Sequence, residues 1–423
     1  MKRNKCPVAE HAVSRRALLA GTIGVLGYNL LGQPILPAAL KAHRKRLLLI
    51  FLSGGASQLE TWDPKPNAKT GGPFRAIPTS VPGVHIGELL PHTAKIMHRL
   101  TVIRSVNSGI TSHFHGHYAL QSGRKALGYP VLGSAAARLL EEPEDMLPGY
   151  VALRRDGPKA YTDVGDAGFL GPKYESVKVI NTEPPANLVR PDSVTEAEEQ
   201  LRDRLRRNSD ARFLRGRLAK PIRSYGSTFA KATALMRQRG IFDLDKESAA
   251  DRQRYGDHDL GQNCLLARRL LEYGVSCVKV THHDWDAHEE NFHWHQQRCA
   301  EFDRLFATLV QDFAARGLLE DTLIVVSGEM GRTPRINHRA GRDHWGTAWS
   351  VAMTGCGVKP GVVLGKTSDD GTEVVEDEVD TGDLFHTYLT ALGLDSAAAY
   401  NINGQSNPIA DPASAPINQV LGS

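Results

Sequence analysis

The sequence predicts an α/β fold with a mainly parallel central sheet and helices on both faces. Continuous apolar runs recur along the chain, beginning with residues 47–52, and such runs are typical of strands that are buried on both faces. Amphipathic segments separate several of these runs, and two of them end before a glycine, as helices commonly do. Strands that alternate with helices favour a parallel sheet.

The predicted elements follow one another in chain order. We expect strands at residues 47–52, 100–103, 177–180, 275–280, 323–326 and 351–353. The clearest helices are residues 259–273, which end before Gly274, and residues 289–315, which end before Gly317. Residues 184–258 contain several prolines and highly charged stretches, and we interpret them as a helical insertion or cap. Arginines in this part have acidic neighbours, which is typical of a solvated helix face.

The formal charge of the 423-residue chain is +4, but this charge is unevenly distributed. Residues 1–42 contain six basic residues and one acidic residue, so this segment carries +5 and the rest of the chain carries −1. A basic nucleic-acid-binding domain therefore has no support in the composition, and we expect no nucleic-acid partner.

The basic segment has the three-part layout of a signal peptide. Arg15 and Arg16 precede an apolar stretch at residues 17–31, and small residues follow it. The apolar stretch is shorter than the roughly 20 residues that span a bilayer, and the arginine pair resembles the twin-arginine export signal. We therefore predict a twin-arginine signal peptide at residues 1–42 and a single α/β domain at residues 43–423. The alternatives for the leader are an uncleaved signal anchor and a buried helix.

This leader determines the expected location and one expected partner. A twin-arginine signal implies passage through the twin-arginine translocase, which would be a partner during export. We expect the mature protein to be periplasmic or extracellular, with no stable membrane span after cleavage.

Polar residues gather after the predicted strands, where open α/β sheets place their functional sites. The first group is rich in glycine and begins at Gly54, after the strand at residues 47–52. Its paired glycines let backbone N–H groups approach an anion, and Glu60 and Asp63 could ligate a cation. The side chains that we expect to contact a substrate in this group are Ser57, Gln58 and Asp63.

The second group runs from Ser112 to His117 and contains three histidines. Imidazoles at alternate positions, here His113, His115 and His117, all face one way if the segment is extended. This pattern predicts that at least one of them binds a metal ion. The alternative is a polar loop with incidental histidines. His115 and His117 are also candidates for substrate contacts.

The third group follows the strand at residues 275–280 and contains Asp284, Asp286 and His288. Carboxylates and imidazoles at these spacings suit zinc or a harder divalent cation. Either aspartate could share a metal ion with His288. The next histidine, His293, comes five residues after His288, so the segment is not a zincin motif.

The fourth group begins after the strand at residues 323–326. Glu329 could act as a metal ligand or a base, and Arg332 and Arg342 could hold an oxyanion through paired hydrogen bonds. Asp343 and His344 are candidate metal ligands that would complete the site. Together the four groups predict a metal or oxyanion site at the carboxyl edge of the sheet.

These segments closely resemble an exported family that is catalogued as a domain of unknown function, family 1501, and is usually grouped with alkaline-phosphatase-like and sulfatase-like proteins. The resemblance spans nearly the whole chain and implies an alkaline-phosphatase-like fold. The segments that carry it are residues 54–58, 63–66, 102–105, 285–288, 327–334 and 341–345, together with the Arg15-Arg16 leader.

The resemblance also implies a set of metal ligands. Alkaline-phosphatase-like enzymes hold one metal ion with an aspartate, a histidine four residues later and a distant histidine. Asp284, His288 and His344 match this plan. Asp286 fits the Trp-Asp-x-His pattern of the family better than Asp284 does, so we rank Asp286 first.

The nucleophile position departs from the superfamily plan. Counting back about ten residues from Gly123 reaches His113 instead of a serine, a threonine or a modified cysteine, and Ser112 is its neighbour. Gly54 stands where the superfamily usually has a metal-binding aspartate. The formylglycine signature of sulfatases is also absent, because Leu266 occupies the proline position after Cys264. These departures disfavour the usual sulfatase chemistry.

Two functions from different classes are compatible with these residues. The first is an exported metal-dependent hydrolase of phosphate or sulfate esters, acting on a small-molecule or polysaccharide substrate with divalent Zn, Mn, Ca or Mg. For this hydrolase, Arg332 or Arg342 holds the ester oxyanion, and the nucleophile is His113, Ser112 or a metal-bound water. The second is a non-catalytic exported metal-binding or scaffold protein that retains the fold. The four convergent groups favour the hydrolase, which is our leading hypothesis.

Overall fold

The computed structural model describes residues 44–142, 145–157, 166–185, 188, 191–214, 219–402 and 404–422. The expected signal peptide at residues 1–42 lies outside these described residues, so it stays a prediction. Among the helices of the described chain, none combines the length and the apolar character needed to cross a membrane.

The described residues contain sixteen β-strands, and eight of them form one central sheet. Their bounds are β1 (Arg46–Leu52), β2 (Ala76–Pro78), β3 (His85–Gly87), β4 (Thr101–Val106), β5 (Tyr150–Arg154), β6 (Val177–Ile180), β7 (Cys277–His282), β8 (Thr322–Ser327), β9 (Gly331–Arg332), β10 (His344–Trp345), β11 (Trp349–Gly355), β12 (Val362–Leu364), β13 (Lys366–Thr367), β14 (Val374–Glu376), β15 (Ala399–Ile402) and β16 (Gln405–Pro408). The strand order in the central sheet is β12-β4-β11-β8-β1-β7-β5-β6. The remaining strands form two-stranded ribbons.

Most neighbouring strands of the central sheet are parallel. Of its seven described pairs five are parallel, and β11 is antiparallel to both of its neighbours. The prediction of an α/β fold with a mainly parallel sheet is confirmed. All six predicted strands correspond to strands of this sheet, whereas β5 and β12 have no predicted counterpart.

Nine α-helices occur in the described residues. Their bounds are α1 (Pro91–Lys95), α2 (His113–Ser122), α3 (Leu132–Leu139), α4 (Glu196–Leu214), α5 (Ala219–Arg237), α6 (Ala249–Tyr255), α7 (Asp259–Glu272), α8 (Asn291–Ala315) and α9 (Thr381–Ala391). The two helices predicted most clearly correspond to α7 and α8. Gly274, which follows α7, has a φ of 97° that glycine adopts easily, and this explains why the helix ends there.

Strand β1 contributes to a hydrophobic core on each face of the sheet. Leu48 and Ile50 belong to a core that includes residues of α7 and α8. Leu47 and Leu49 belong to a second core that includes residues of α3 and α9. Successive side chains of a strand point to opposite faces, so an uninterrupted apolar run is buried on both sides.

Residues 184–258 contain the helices α4, α5 and α6. Pro221 lies in the first turn of α5, where the helix does not use the backbone N–H that proline lacks. The role of this region as an insertion or cap stays a prediction.

The carboxyl ends of three neighbouring parallel strands bring the polar groups together. Strands β8, β1 and β7 lie side by side and run in the same direction. The segments that follow them therefore meet at one edge of the sheet, with Gly54 after β1, Asp286 after β7 and Glu329 after β8.

Candidate metal centre

Three atoms that can bind a metal ion converge at this edge of the sheet. His288 Nε2 lies 3.0 Å from Asp286 Oδ1 and 2.9 Å from His344 Nε2. His344 Nε2 lies 3.3 Å from the same Asp286 oxygen. Ligand atoms around a tetrahedral zinc ion are roughly 3.3 Å apart at bond lengths of about 2.0–2.1 Å. The three atoms therefore have the spacing of one face of such a site.

The outer nitrogens of the two imidazoles determine where their protons lie. His288 Nδ1 is 3.1 Å from Asp343 Oδ1, and His344 Nδ1 is 2.6 Å from the carbonyl oxygen of Thr111. Both oxygens accept, so each Nδ1 donates and each Nε2 of a neutral ring carries a lone pair. Two lone pairs that face each other beside a carboxylate repel unless a cation lies between them. Two imidazoles and a carboxylate form a donor set that fits zinc or another divalent ion.

Arg332 holds the Asp286 carboxylate in place. Its fully buried guanidinium donates to the Asp286 carboxylate and to the carbonyl oxygen of Gly54. Further hydrogen bonds reach the carbonyl oxygens of Gly55 at 3.0 Å and Arg342 at 3.2 Å. The N–H groups of Arg332 therefore donate to acceptors inside the protein. The expectation that Arg332 holds a substrate oxyanion is corrected.

The surroundings of Asp286 keep its carboxylate ionised. Burial raises the pKa of this carboxyl, but the hydrogen bond from His113 and the charge and hydrogen bond of Arg332 outweigh that effect. The net result is a pKa well below the usual value. Asp286, whose side chain is 37% exposed, is thus an anionic group that a cation can reach.

His113 lies between two carboxylates. Its Nδ1 is 2.7 Å from Glu329 Oε1, and its Nε2 is 3.1 Å from Asp286 Oδ2. Burial lowers the pKa of the imidazole, but the hydrogen bonds to Asp286 and Glu329 raise it to about 9. In the metal-free protein His113 is therefore protonated at neutral pH and uses both ring nitrogens as donors. This arrangement corrects the expectation that His113 is a nucleophile.

A second ligand set shares two of these side chains. One ligand atom each of His113, Asp286 and His344 lies within 4.8 Å of the others. Asp286 can thus offer Oδ1 to the pair formed by His288 and His344, and Oδ2 to His113. Asp286 and His344 therefore belong to two possible metal-binding triads, one with His288 and one with His113.

Glu329 connects the ends of β8 and β1. Both of its carboxylate oxygens accept from the Gly54 N–H, at 2.9 and 3.1 Å, and Oε1 also accepts from His113. The side chain is 1% exposed. Its contacts place Glu329 behind His113, which corrects the expectation that it is a metal ligand or a base.

Gly54 is required at its position by both conformation and space. Its φ of 112° lies in a region that residues with a side chain rarely adopt. A Cβ atom there would also collide with the backbone nitrogen of Asp286. The glycine therefore allows the loop after β1 to approach the loop that carries the ligands.

Asp284 is not part of the cluster. Its Oδ2 lies 2.5 Å from Arg155 Nη2 and 3.9 Å from Arg298 Nη1. The aspartate–histidine spacing of four residues suggests Asp284 as the partner of His288, but the structure places Asp286 there. This result corrects the expected role of Asp284, and Asp286 stays the proposed ligand.

Arg342 and Glu60 form a fully buried ion pair. Both side chains are 0% exposed, and Arg342 Nε and Nη2 donate to Glu60 Oε1 at 3.1 and 2.8 Å. The other guanidinium N–H groups donate to the carbonyl oxygens of Thr70, Thr333 and Pro334. The expectations that Arg342 binds an oxyanion and that Glu60 binds a cation are both corrected, because each group is neutralised by the other.

The segment with three histidines is helical rather than extended, since it begins α2. His113 and His117 are four residues apart and share one face of the helix, whereas His115 lies on another. His117 is buried, hydrogen-bonded to Gln121, and its ring packs 4.7 Å from that of Phe51. It belongs to the interior, which corrects its expected contact with a substrate.

Ser112 and His115 form an exposed pair at the start of α2. Ser112 Oγ lies 3.3 Å from His115 Nδ1. The preceding residue, Thr111, is the one whose carbonyl oxygen contacts His344. Ser112 therefore directly follows, in the chain, the residue whose backbone orients His344.

The substrate contacts expected in the first polar group are internal. Ser57 and Gln58 are buried, and the Gln58 amide exchanges hydrogen bonds with the backbone of Arg332 at 2.9 and 3.0 Å. Asp63 is also buried and forms an ion pair with Lys65 at 3.2 Å. These side chains stabilise the loop after β1, so their expected role in substrate or cation binding is corrected.

Two functional contacts of the cluster have no signal in the sequence. The carbonyl oxygen of Thr111 orients His344, and any residue type can provide a backbone carbonyl. Arg332 contacts Asp286 across 46 positions of the chain. The contact between Arg332 and Asp286 can be recognised only once the fold is known.

A family model described as "Protein of unknown function (DUF1501)" matches residues 44–421, which is most of the chain. No curated protein matches the sequence at a significant level.

Several solved structures align with most of the chain. The lipoteichoic acid synthase LtaP from Listeria monocytogenes is 9% identical, with a TM-score of 0.37 over 88% of this chain and 75% of that one. A protein in the alkaline phosphatase superfamily from Vibrio parahaemolyticus is 13% identical, with a TM-score of 0.35 over 83% and 67%. The phosphonate monoester hydrolase SpPMH from Silicibacter pomeroyi is 13% identical, with a TM-score of 0.34 over 84% and 74%. At such low TM-scores these similarities carry no argument about the activity of this chain.

Proposed function

The chain belongs to the DUF1501 family, and from this premise we propose that it is an exported metal-dependent hydrolase of phosphate or sulfate esters. One observation carries the proposal. The lone-pair atoms of Asp286, His288 and His344 converge within 2.9–3.3 Å of one another.

Asp286, His288 and His344 would hold the ion. When bound, a divalent cation supplies Lewis-acid stabilisation to the negative charge that develops on a phosphoryl or sulfuryl oxygen. Neighbouring groups already hold the side chains of these residues in position. Asp343 and the Thr111 carbonyl orient the two imidazoles, as the second layer of groups around metal ligands usually does.

Ser112 is our candidate nucleophile. Its hydroxyl is exposed and can donate its proton to His115 Nδ1 as Oγ attacks phosphorus or sulfur. The bond from Oγ to that atom forms while the bond to the leaving alcohol breaks, and the His115 imidazolium returns a proton to the alcohol. Water then hydrolyses the seryl ester. The first N–H groups of α2 have no partner within the helix and can donate to the ester oxygens.

Export is part of the same proposal. It is supported by the Arg15-Arg16 pair and the apolar residues 17–31. The twin-arginine translocase would be the partner during export, and the substrate would be a small-molecule or polysaccharide ester outside the cytoplasm.

A non-catalytic metal-binding or scaffold protein is the second candidate. One observation favours it: the guanidinium groups of Arg332 and Arg342 both form hydrogen bonds with acceptors inside the protein. The site thus lacks the two guanidinium groups that the sequence offers for an oxyanion.

Elemental analysis of the purified mature protein tests the proposal. We expect at least one zinc, manganese, calcium or magnesium ion per chain. The double variant His288→Ala, His344→Ala should lose it because two of three ligands are removed. His92→Ala is the matched control, since His92 is exposed on α1 and outside the cluster.

The metal-loaded protein is then assayed with panels of phosphate and sulfate esters. Turnover that disappears in the double variant supports the hydrolase. A folded wild-type protein that contains no metal and takes up none when it is added would overturn the proposal. A protein that binds the ion but turns over no ester would favour the scaffold.

A further inference from the structure

The carboxyl edge of the sheet continues past the metal centre to a group of cationic side chains. Strand β5 lies next to β7 and ends with Arg154, which Arg155 follows. Strand β7 continues into His283 and Asp284. His283 is three positions before Asp286, so their Cα atoms are at most about 11 Å apart. The group is therefore within reach of a substrate that is bound at the centre.

The arginines of this group outnumber their acidic partners. Arg155 pairs with Asp284 at 2.5 Å, and Arg298 lies 3.9 Å from the same carboxylate and 3.1 Å from Glu301. Arg154 has no carboxylate partner in the part of the chain that the structure describes, and its Nη1 donates only to the carbonyl oxygen of Arg155 at 3.4 Å. Arg155 and Arg298 thus share Asp284 and Glu301, and Arg154 is a third guanidinium group beside them.

His283 lies in the field of these arginines. Burial lowers the pKa of its imidazole to about 4, and the charges of Arg155 and Arg154 act in the same direction. The Nε2 atom is buried and has no hydrogen-bond partner among the described residues. A buried polar atom without a partner is costly, and in the Nε2–H tautomer this nitrogen can donate a hydrogen bond to an anion.

Within the described residues, the neighbouring Asp156 forms no ion pair with these arginines. Asp156 directs Oδ1 to the backbone N–H of Gly157 at 2.9 Å. Asp284 has a φ of 70°, in a region that is unfavourable for a residue with a side chain. Such conformations concentrate at functional sites. Here the strained residue lies between the cationic group and the metal ligand Asp286.

We propose that Arg154, Arg155 and His283 form a subsite for a second anionic group of the substrate. The substrate class is therefore a polyanionic ester, in which at least one phosphate or sulfate group accompanies the one that is cleaved. The forked donors of arginine match the oxygens of either group. This inference rests on the proposed function and adds the substrate class to it.

Calorimetric titration of the full mature protein tests the subsite. The probes are short α,ω-alkanediol bisphosphates and the matching alkyl monophosphates, each titrated into metal-loaded and into chelator-treated protein. We expect the best bisphosphate to bind about tenfold or more tightly than its monophosphate. Arg154→Gln and Arg155→Gln should each reduce this preference by a similar factor.

The choice of variants separates binding from folding. Arg154→Gln leaves no carboxylate without a partner, whereas Arg155→Gln leaves Asp284 with only the longer contact to Arg298, so Arg154→Gln is the decisive variant. Arg304→Gln is the control, because Arg304 is exposed on α8 and its loss changes the net charge equally. Equal affinity for the two probes in the wild-type protein, or a preference that Arg154→Gln leaves intact, would overturn the subsite.

The same titration distinguishes this inference from the proposed function. A bisphosphate preference that depends on Arg154, in a protein that binds no metal, supports the subsite while the hydrolase fails. Metal-dependent ester turnover without any bisphosphate preference overturns the subsite and leaves the hydrolase intact.

Discussion

The Nε2 atoms of His288 and His344 face each other at 2.9 Å. Each ring donates its Nδ1–H to an oxygen, from Asp343 in one case and from the Thr111 backbone in the other. Neither neutral ring has a proton to give to its neighbour, so the pair is stable when a cation lies between the two nitrogens. Asp343 and the Thr111 carbonyl thus favour a cation between the two rings, although neither group faces that position.

Asp343→Asn should weaken metal binding by about 10- to 100-fold. The amide is a poorer acceptor for His288 Nδ1–H, and the imidazole loses both orientation and basicity. Competition with a chromogenic chelator measures the affinity. Asp369→Asn is the control, since Asp369 is exposed and outside the cluster. An unchanged affinity would remove Asp343 from this role.

Ser112→Ala should reduce ester hydrolysis by about a thousandfold or more while the metal content stays the same. The variant removes the attacking oxygen but none of the ligands. Steady-state kinetics and elemental analysis are measured on the same sample. Ser209→Ala, at an exposed position of α4, is the control. Full activity in Ser112→Ala would show that the nucleophile lies elsewhere.

The metal-free protein should lose stability as the pH rises from 6.5 to about 9. Hydrogen bonds to Asp286 and Glu329 outweigh burial and raise the pKa of His113 to about 9, so the folded state retains a proton that the unfolded state releases. This contribution is fully present below pH 6.5, and it amounts to about 3 kcal/mol. Urea unfolding in the presence of a chelator measures it. His113→Gln should remove the pH dependence, and a wild-type stability that does not change over this range contradicts the assignment.

Gly54→Ala should destabilise the protein by about 3 kcal/mol and abolish metal binding. The new methyl group meets the backbone of Asp286, in addition to the cost of a φ of 112°. Gly83→Ala separates these two effects, because Gly83 has a φ of 79° but open space around it. Urea unfolding and metal analysis are applied to both variants. If the two behave alike, the collision with Asp286 is not important.

Glu60→Gln should cost about 3–5 kcal/mol of unfolding free energy, because it leaves the Arg342 guanidinium buried without a counter-charge. Glu88→Gln, in the exposed pair with Arg75, should cost less than about 1 kcal/mol. Urea unfolding of both variants measures the difference. Equal costs would mean that burial of the Glu60–Arg342 pair has no energetic consequence.

The sequence permits a good prediction of the sheet and of one half of the site. The apolar run of β1 indicates burial on both faces, and the strand ends place Asp286 and His288 correctly at the carboxyl edge. The third residue of the cluster, His344, is expected only from the family resemblance. In the structure it lies next to His288 and Asp286.

The remaining errors have identifiable physical causes. Arg342 and Glu60 are 282 positions apart, so the sequence shows two charged residues near a site but not that each neutralises the other. The histidines at 113, 115 and 117 alternate as in a strand, yet the first and last are also four residues apart, as on one face of a helix. Only the backbone of α2 decides between these two patterns.

The ligands of the centre come from chain segments 58 positions apart, which the sheet edge brings together. An unfolded chain offers no such arrangement, so an ion held by these residues binds the native state more tightly than the unfolded state. Free metal at a thousand times its dissociation constant then adds about 4 kcal/mol to the free energy of unfolding. The midpoint of thermal unfolding then rises with the concentration of free metal, so the supply of metal sets the fraction of molecules that are folded.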